Sequence, residues 1–180
     1  MKKITALSLI FFMTLLAACG ERGKVDEETA AKYRPYLVPG AIASDFTARD
    51  MENKYLDFSR YKGNVILMTF WRKKCEECVR VLDQLEKVHQ KYRDKGFTSM
   101  AIDADNLNYV PSAKVIEFVK ARNISYPVLL DDSFQATQSY KVINIPTTFL
   151  IDREGIISHI VYAPVDWLKP ENSARIEKLL

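Results

Sequence analysis

Seven consecutive residues, Val65-Ile66-Leu67-Met68-Thr69-Phe70-Trp71, are apolar or β-favouring, and they lead almost directly into two cysteines at the head of an amphipathic run. A strand with no polar side of its own is stable only inside a sheet covered on both faces. Beyond the cysteines, Val79, Leu82, Leu85, Val88 and Tyr92 recur at spacings of three and four, the period of a helix that buries one side. The spacing predicts a helix over residues 76–95, closed by Gly96, with Cys75 at its N-terminus.

The rest of the chain supplies neighbours for this unit. Phe97–Asp103 reads as a second buried strand, and residues 111–122 as a helix with Val115, Ile116 and Val119 inward. Val128–Leu130 is a short strand, and 134–140 a brief helix. Residues 147–152 and 156–162, joined by the turn Arg153-Glu154-Gly155, form a hairpin, and a last helix starts near Pro170. Strands alternating with helices argue an α/β fold with a mainly parallel sheet, to which the terminal hairpin adds antiparallel strands.

The amino terminus is of a different kind. Lys2-Lys3 precede an apolar run over residues 4–16, which is shorter than the roughly 20 residues needed to span a bilayer and reads as a cleavable secretory signal. Leu16-Ala17-Ala18-Cys19 resembles a bacterial lipobox, which implies cleavage before Cys19 and a diacylglycerol on its sulfur. The alternative is an ordinary signal peptide whose small-residue site happens to precede a cysteine. The chain has three cysteines, and lipidating Cys19 leaves Cys75 and Cys78 as an even pair. The expected organisation is a lipoprotein signal peptide over 1–18, a lipid-anchored linker over 19–38 without apolar periodicity, and one domain over 39–180. Gly20, where inner-membrane lipoproteins usually carry aspartate, is compatible with an outer membrane if the envelope is Gram-negative. Losing Lys2 and Lys3 takes the formal net charge from +3 to +1, which gives no basis for a nucleic-acid partner.

Cys75-Glu76-Glu77-Cys78 admits a redox pair, half of a metal site, or a charged helix start. Structural zinc needs four ligands, and the two histidines, His89 and His159, are far in sequence from the cysteines and from each other. Redox chemistry needs less. A helix N-terminus favours the thiolate of Cys75 through its dipole and its free N–H groups, and Cys78 one turn on can attack a mixed disulfide formed there. Glu76 and Glu77 are candidates for proton transfer, or only complements to the dipole.

Phe70-Trp71 with the cysteine pair, Tyr126-Pro127-Val128-Leu129-Leu130-Asp131, and Ile145-Pro146-Thr147-Thr148-Phe149-Leu150-Ile151-Asp152 with Gly155 together resemble the TlpA-like, extracytoplasmic branch of the thioredoxin family. The resemblance implies a thioredoxin fold: a central mixed β-sheet flanked by helices, here with an N-terminal extension. It implies a thiol:disulfide oxidoreductase with Cys75 attacking and Cys78 resolving. Pro146 would be a cis-proline facing the disulfide, Ile145 would offer its backbone to a substrate strand, and Trp71 would contact substrate or pack beneath the motif. No cofactor is implied. The partners implied are protein thiols and disulfides, a membrane electron-donor protein and, through Cys19, the membrane. Relatives serve cytochrome c maturation, other envelope proteins or oxidative-stress responses.

The chain departs from this family at three places. Lys74 replaces a tryptophan before the first cysteine, Thr69 an acid or amide six residues before it, and Val81 a glutamate that some relatives carry three residues after the second. Arg72, Lys73 and Lys74 favour the Cys75 thiolate while Glu76 and Glu77 oppose it. Because a strong oxidant needs an unusually stable thiolate, the carboxylates point to a reductase or isomerase. Three rivals remain: a Cu(I)-binding metallochaperone-like module using His159, an interaction domain with degraded redox function, and a thiol peroxidase, for which Arg72 stands where a hydroxyl is expected.

Overall fold

A computed structural model describes residues 37–105 and 109–180. The signal-peptide and lipidation readings at Cys19, the Gly20 reading and nearly all of the 19–38 linker lie outside the described residues. The elements are β1 (Thr47–Arg49), β2 (Tyr55–Asp57), β3 (Val65–Trp71), α1 (Glu76–Tyr92), β4 (Phe97–Asp103), α2 (Ser112–Lys120), β5 (Val128–Leu130), α3 (Gln135–Ser139), β6 (Thr147–Ile151), β7 (Ile157–Val161) and α4 (Pro170–Glu177). They form a seven-stranded sheet in the order β2-β1-β5-β4-β3-β6-β7. β3, β4 and β5 are parallel, and the flanking pairs are antiparallel.

All seven residues of β3 are buried, as are all seven of β4 beside it. Alternation of side chains divides the core in two. Val65, Leu67 and Trp71 point to the face covered by α1, α2 and α4, with Leu82, Leu85, Val115 and Ile176. Ile66, Met68 and Phe70 point to the face covered by the N-terminal segment and α3, with Phe46, Phe58, Tyr140 and Phe149. Each fully buried side chain of this size contributes about 1.5–3 kcal/mol, which fixes the register of the central strand.

Several local expectations change. On α1 it is Val81 that is buried, while Val79 is half-exposed, because Val81 lies on the side of Cys78, Leu85 and Val88 that meets the sheet. The helix gives way at Arg93–Lys95 to a tight 3-10 turn ending on Gly96 at φ 73°. A Cβ at Gly96 would sit 2.7 Å from the Arg153 guanidinium. α2 is shorter than expected at both ends, and Ile116 is only partly buried. The β1–β2 hairpin, which extends the sheet beyond β5, has strands of three residues each and too little pattern to be seen in sequence. Arg49 fastens it to the β5–α3 loop through Asp132, with Nε donating at 2.6 Å.

Candidate active site

The sheet ends β3 and β4 together, so Trp71 pairs with Asp103, and the chain then turns through Arg72-Lys73-Lys74 into α1. The turn is held from below. The Arg72 Nε donates to the Ala104 carbonyl at 3.0 Å, and the Lys73 N–H donates to Asp105 Oδ2 at 2.7 Å. Cys75 is the N-cap residue of α1, and its sulfur accepts the Cys78 N–H at 3.1 Å. Cys75 and Cys78 are disulfide-bonded, with their Cα atoms 5.2 Å apart. Cys78 is fully buried and Cys75 half-buried, so only the first sulfur is open to a partner. On reduction, the N–H that caps through Cys75 and the positive end of α1 both favour its thiolate.

A cavity of about 690 Å³ opens beside Cys75, lined among others by Arg72, Lys74, Asp105, Tyr109, Ile143 and Ile145. The Ile145–Pro146 peptide bond is cis, and Pro146 is buried at the entry to β6. Among the described residues, neither the N–H nor the carbonyl of Ile145 takes a backbone partner. Thus Cys75 and Ile145 line one opening, with Cys78 buried and bonded to Cys75, and Pro146 following Ile145 in the chain. Trp71 does not join them. It is fully buried and stacks on Phe118 with ring centres 5.9 Å apart, so it has no surface to offer a substrate and packs beneath the motif instead.

Side-chain placement alters the charge balance read from sequence. Both Glu76 and Glu77 are exposed and bind Arg80, Glu76 at 3.5 Å. Lys73 turns to the ring of Phe118, 5.5 Å from its centre, leaving Arg72 and Lys74 as the cations of the cavity. The carboxylates that oppose the Cys75 thiolate are therefore partly neutralised, while two of its three favouring cations remain near it. Thr69, at the position where an acid or amide is expected by resemblance, pairs its hydroxyl with that of Thr148 at 2.8 Å. Val81 is core.

The acid that sequence reasoning missed comes from β4. Asp103 is 3% and Asp105 6% exposed. Burial, and then the charge of Asp105, pushes the Asp103 carboxyl up to about 9, so it holds its proton at neutral pH. Asp103 hydrogen-bonds to the Asp105 side chain, and its Oδ1 has no partner among the described residues. A protonated carboxyl linked to one that lines the Cys75 cavity can store a proton there. The available signal was Ala101-Ile102-Asp103-Ala104-Asp105, acids closing an apolar strand.

The histidines stand elsewhere. His89 Nδ1 accepts the Ser99 N–H at 3.3 Å, and burial lowers its pKa. His159, on β7 opposite Leu150, bonds Ser158. Among the described residues no group of three or more His, Cys, Asp or Glu side chains is placed to hold a metal. A second cavity, about 490 Å³ and lined by Asp50, Met51, Tyr61, Lys120 and Tyr126 among others, has no cysteine among its described lining residues.

The chain is similar to several known proteins. Thiol-disulfide oxidoreductase ResA of Bacillus thuringiensis subsp. konkukian is 29% identical over 155 residues, 86% of each chain. ResA of Bacillus cereus is 32% identical over 116 residues, 64% of this chain and 65% of that protein. A crystal structure assigned as thiol:disulfide interchange protein DsbE from Chlorobium tepidum superposes with a TM-score of 0.71 at 24% identity, over 79% of this chain and 98% of that one. A solution structure assigned as a protein disulfide isomerase from Bacteroides thetaiotaomicron gives 0.70 at 26%, over 80% and 91%. Residues 39–160, more than half of the chain, match the AhpC/TSA family, and the chain belongs to it, on a thioredoxin-like fold with the cysteine pair at the head of α1.

Proposed function

We propose that this protein is a lipid-anchored thiol:disulfide oxidoreductase of the extracytoplasmic side of a bacterial membrane, exchanging the Cys75–Cys78 disulfide with protein substrates. The observation that carries the reading is the disulfide itself, half-open at the N-terminus of α1 beside Ile145. The relatives named ResA support the activity. The anchor in this reading is the lipid on Cys19, supported by the likeness of Leu16-Ala17-Ala18-Cys19 to a lipobox; no helix among the described residues is long and apolar enough to cross a membrane.

In the reducing direction, the Cys75 thiolate attacks one sulfur of a client disulfide, forming a mixed disulfide and expelling the other sulfur as a thiolate that takes up a proton. Cys78 then loses its proton and attacks the Cys75 sulfur. The second client sulfur leaves and takes that proton, and two electrons have passed to the client. The Ile145 N–H and carbonyl receive the client backbone as an added strand. Asp105, linked to protonated Asp103, is placed to relay protons at the cavity. The protein is returned to the dithiol by a membrane electron-donor protein, and no bound cofactor takes part.

We read the direction as reductase or isomerase. Arg80 weakens the carboxylate argument for this, so the deciding measurement is the reduction potential, and a value near the roughly −120 mV of DsbA would reverse it. Cytochrome c maturation is one client class consistent with the family resemblance. Replacing Cys78 with Ala is expected to trap clients on Cys75 as mixed disulfides, and Cys75→Ala to abolish insulin reduction. Insulin reduction by Cys75→Ala at the wild-type rate would sink the reading. Cys19→Ser is expected to release the protein from membranes.

A further inference from the structure

Half-buried Cys75 lines one cavity and caps a helix whose first turns face another, unlike one. On the cavity side, the charged side chains exposed to solvent among the described residues are Arg72 and Lys74, both cations. The carboxylate there, Asp105, is buried and occupied by the Lys73 N–H. Two large apolar side chains stand open on the same rim, Tyr109 at 78% and Ile143 at 60% exposure. On the helix side lie Glu77 and Arg80, facing a separate cavity with Asp166. Lys74, exposed and part of the cavity wall, occupies the position immediately before the attacking sulfur.

Resting on the oxidoreductase reading, we propose that this groove selects client disulfides in extended segments that carry a carboxylate beside the cysteine and an apolar side chain near it. The carboxylate meets Lys74 and Arg72, the apolar side chain meets Tyr109 and Ile143, and the client backbone pairs with Ile145. Exposed ion pairs are individually weak, so the preference is a matter of a few fold and is read in the encounter rate and its salt dependence.

The test uses the whole protein, recycled by dithiothreitol, and three disulfide-linked peptides that differ only in Asp, Asn or Lys beside the cysteine. Each rate is divided by that peptide's rate with dithiothreitol alone, which removes intrinsic differences in sulfur reactivity. The expected normalised kcat/KM is about two- to fivefold higher for Asp than for Asn at low salt. It is lowest for Lys, and the three converge at high salt. Lys74→Glu is expected to reverse the order, and because only ratios are compared, a change in the Cys75 pKa cancels. Equal rates for the three peptides, or an order unchanged by Lys74→Glu, would overturn the proposal while leaving the oxidoreductase reading intact. Failure to reduce even hydroxyethyl disulfide, which has no charge, would overturn both.

Discussion

Asp103 shows how a single side chain can hold a charge state that its sequence neighbours do not suggest. Its carboxyl is raised from an ordinary value near 3.8 to about 9 by burial and by Asp105, so the folded state binds a proton that the unfolded chain releases above about pH 4. The stability associated with this group is fully present below pH 4 and is lost as pH rises toward 9. Asp103→Asn keeps the shape and removes the titration. The variant is expected to gain stability relative to wild type between pH 5 and 8, by at most about 4 kcal/mol at pH 7 from linkage. Urea midpoints across that range check this, and a constant difference between the two proteins would show that Asp103 does not hold its proton.

At the scale of the element, α1 both presents the sulfurs and anchors them. Its buried stripe from Cys78 through Val81, Leu82, Leu85, Val88 and Tyr92 packs on the sheet, and the Tyr92 hydroxyl reaches Glu177 of α4 at 2.5 Å. Val81 is sealed in this stripe, so restoring the glutamate that some relatives carry there would bury a carboxyl. Val81→Glu is expected to cost about 2 kcal/mol or more at pH 7. The loss should be smaller near pH 4, where most of the introduced acid is neutral in both states, and should grow as pH rises. Denaturation at pH 4 and pH 7 separates this outcome from a simple size effect, which would be the same at both.

Across the whole molecule, the active end of the sheet is supported from the opposite end. Arg153, in the β6–β7 turn, donates through Nη2 to the carbonyls of Lys95 and Leu180, each at 2.9 Å, and through Nη1 to that of Gly63 at 3.4 Å. It thereby ties the close of α1, the entry to β3 and the chain end together. Arg153→Ala is expected to lower stability by about 1–3 kcal/mol while leaving the thiol exchange rate unchanged below the melt. A thermal melt paired with an insulin-reduction assay checks both parts.

By itself, the sequence determined the elements whose signal is strong along the chain. β3, β4 and β5 match their residue patterns end for end, and the cysteine pair falls at the start of α1, because hydrophobic period and N-terminal position are local properties. The β1–β2 hairpin was not legible, since three-residue strands gain their stability from β5 and from Arg49–Asp132 rather than from their own pattern. Nor could sequence weigh Glu76 and Glu77 against the cations, separate Val81 from Val79, or give Trp71 its full burial. Only the tertiary structure decided these, and with them the proton on Asp103. Charge and burial depend on distances between residues remote in sequence, and β3 and β4 bring Trp71, Lys73, Asp103 and Asp105 together only once they are paired.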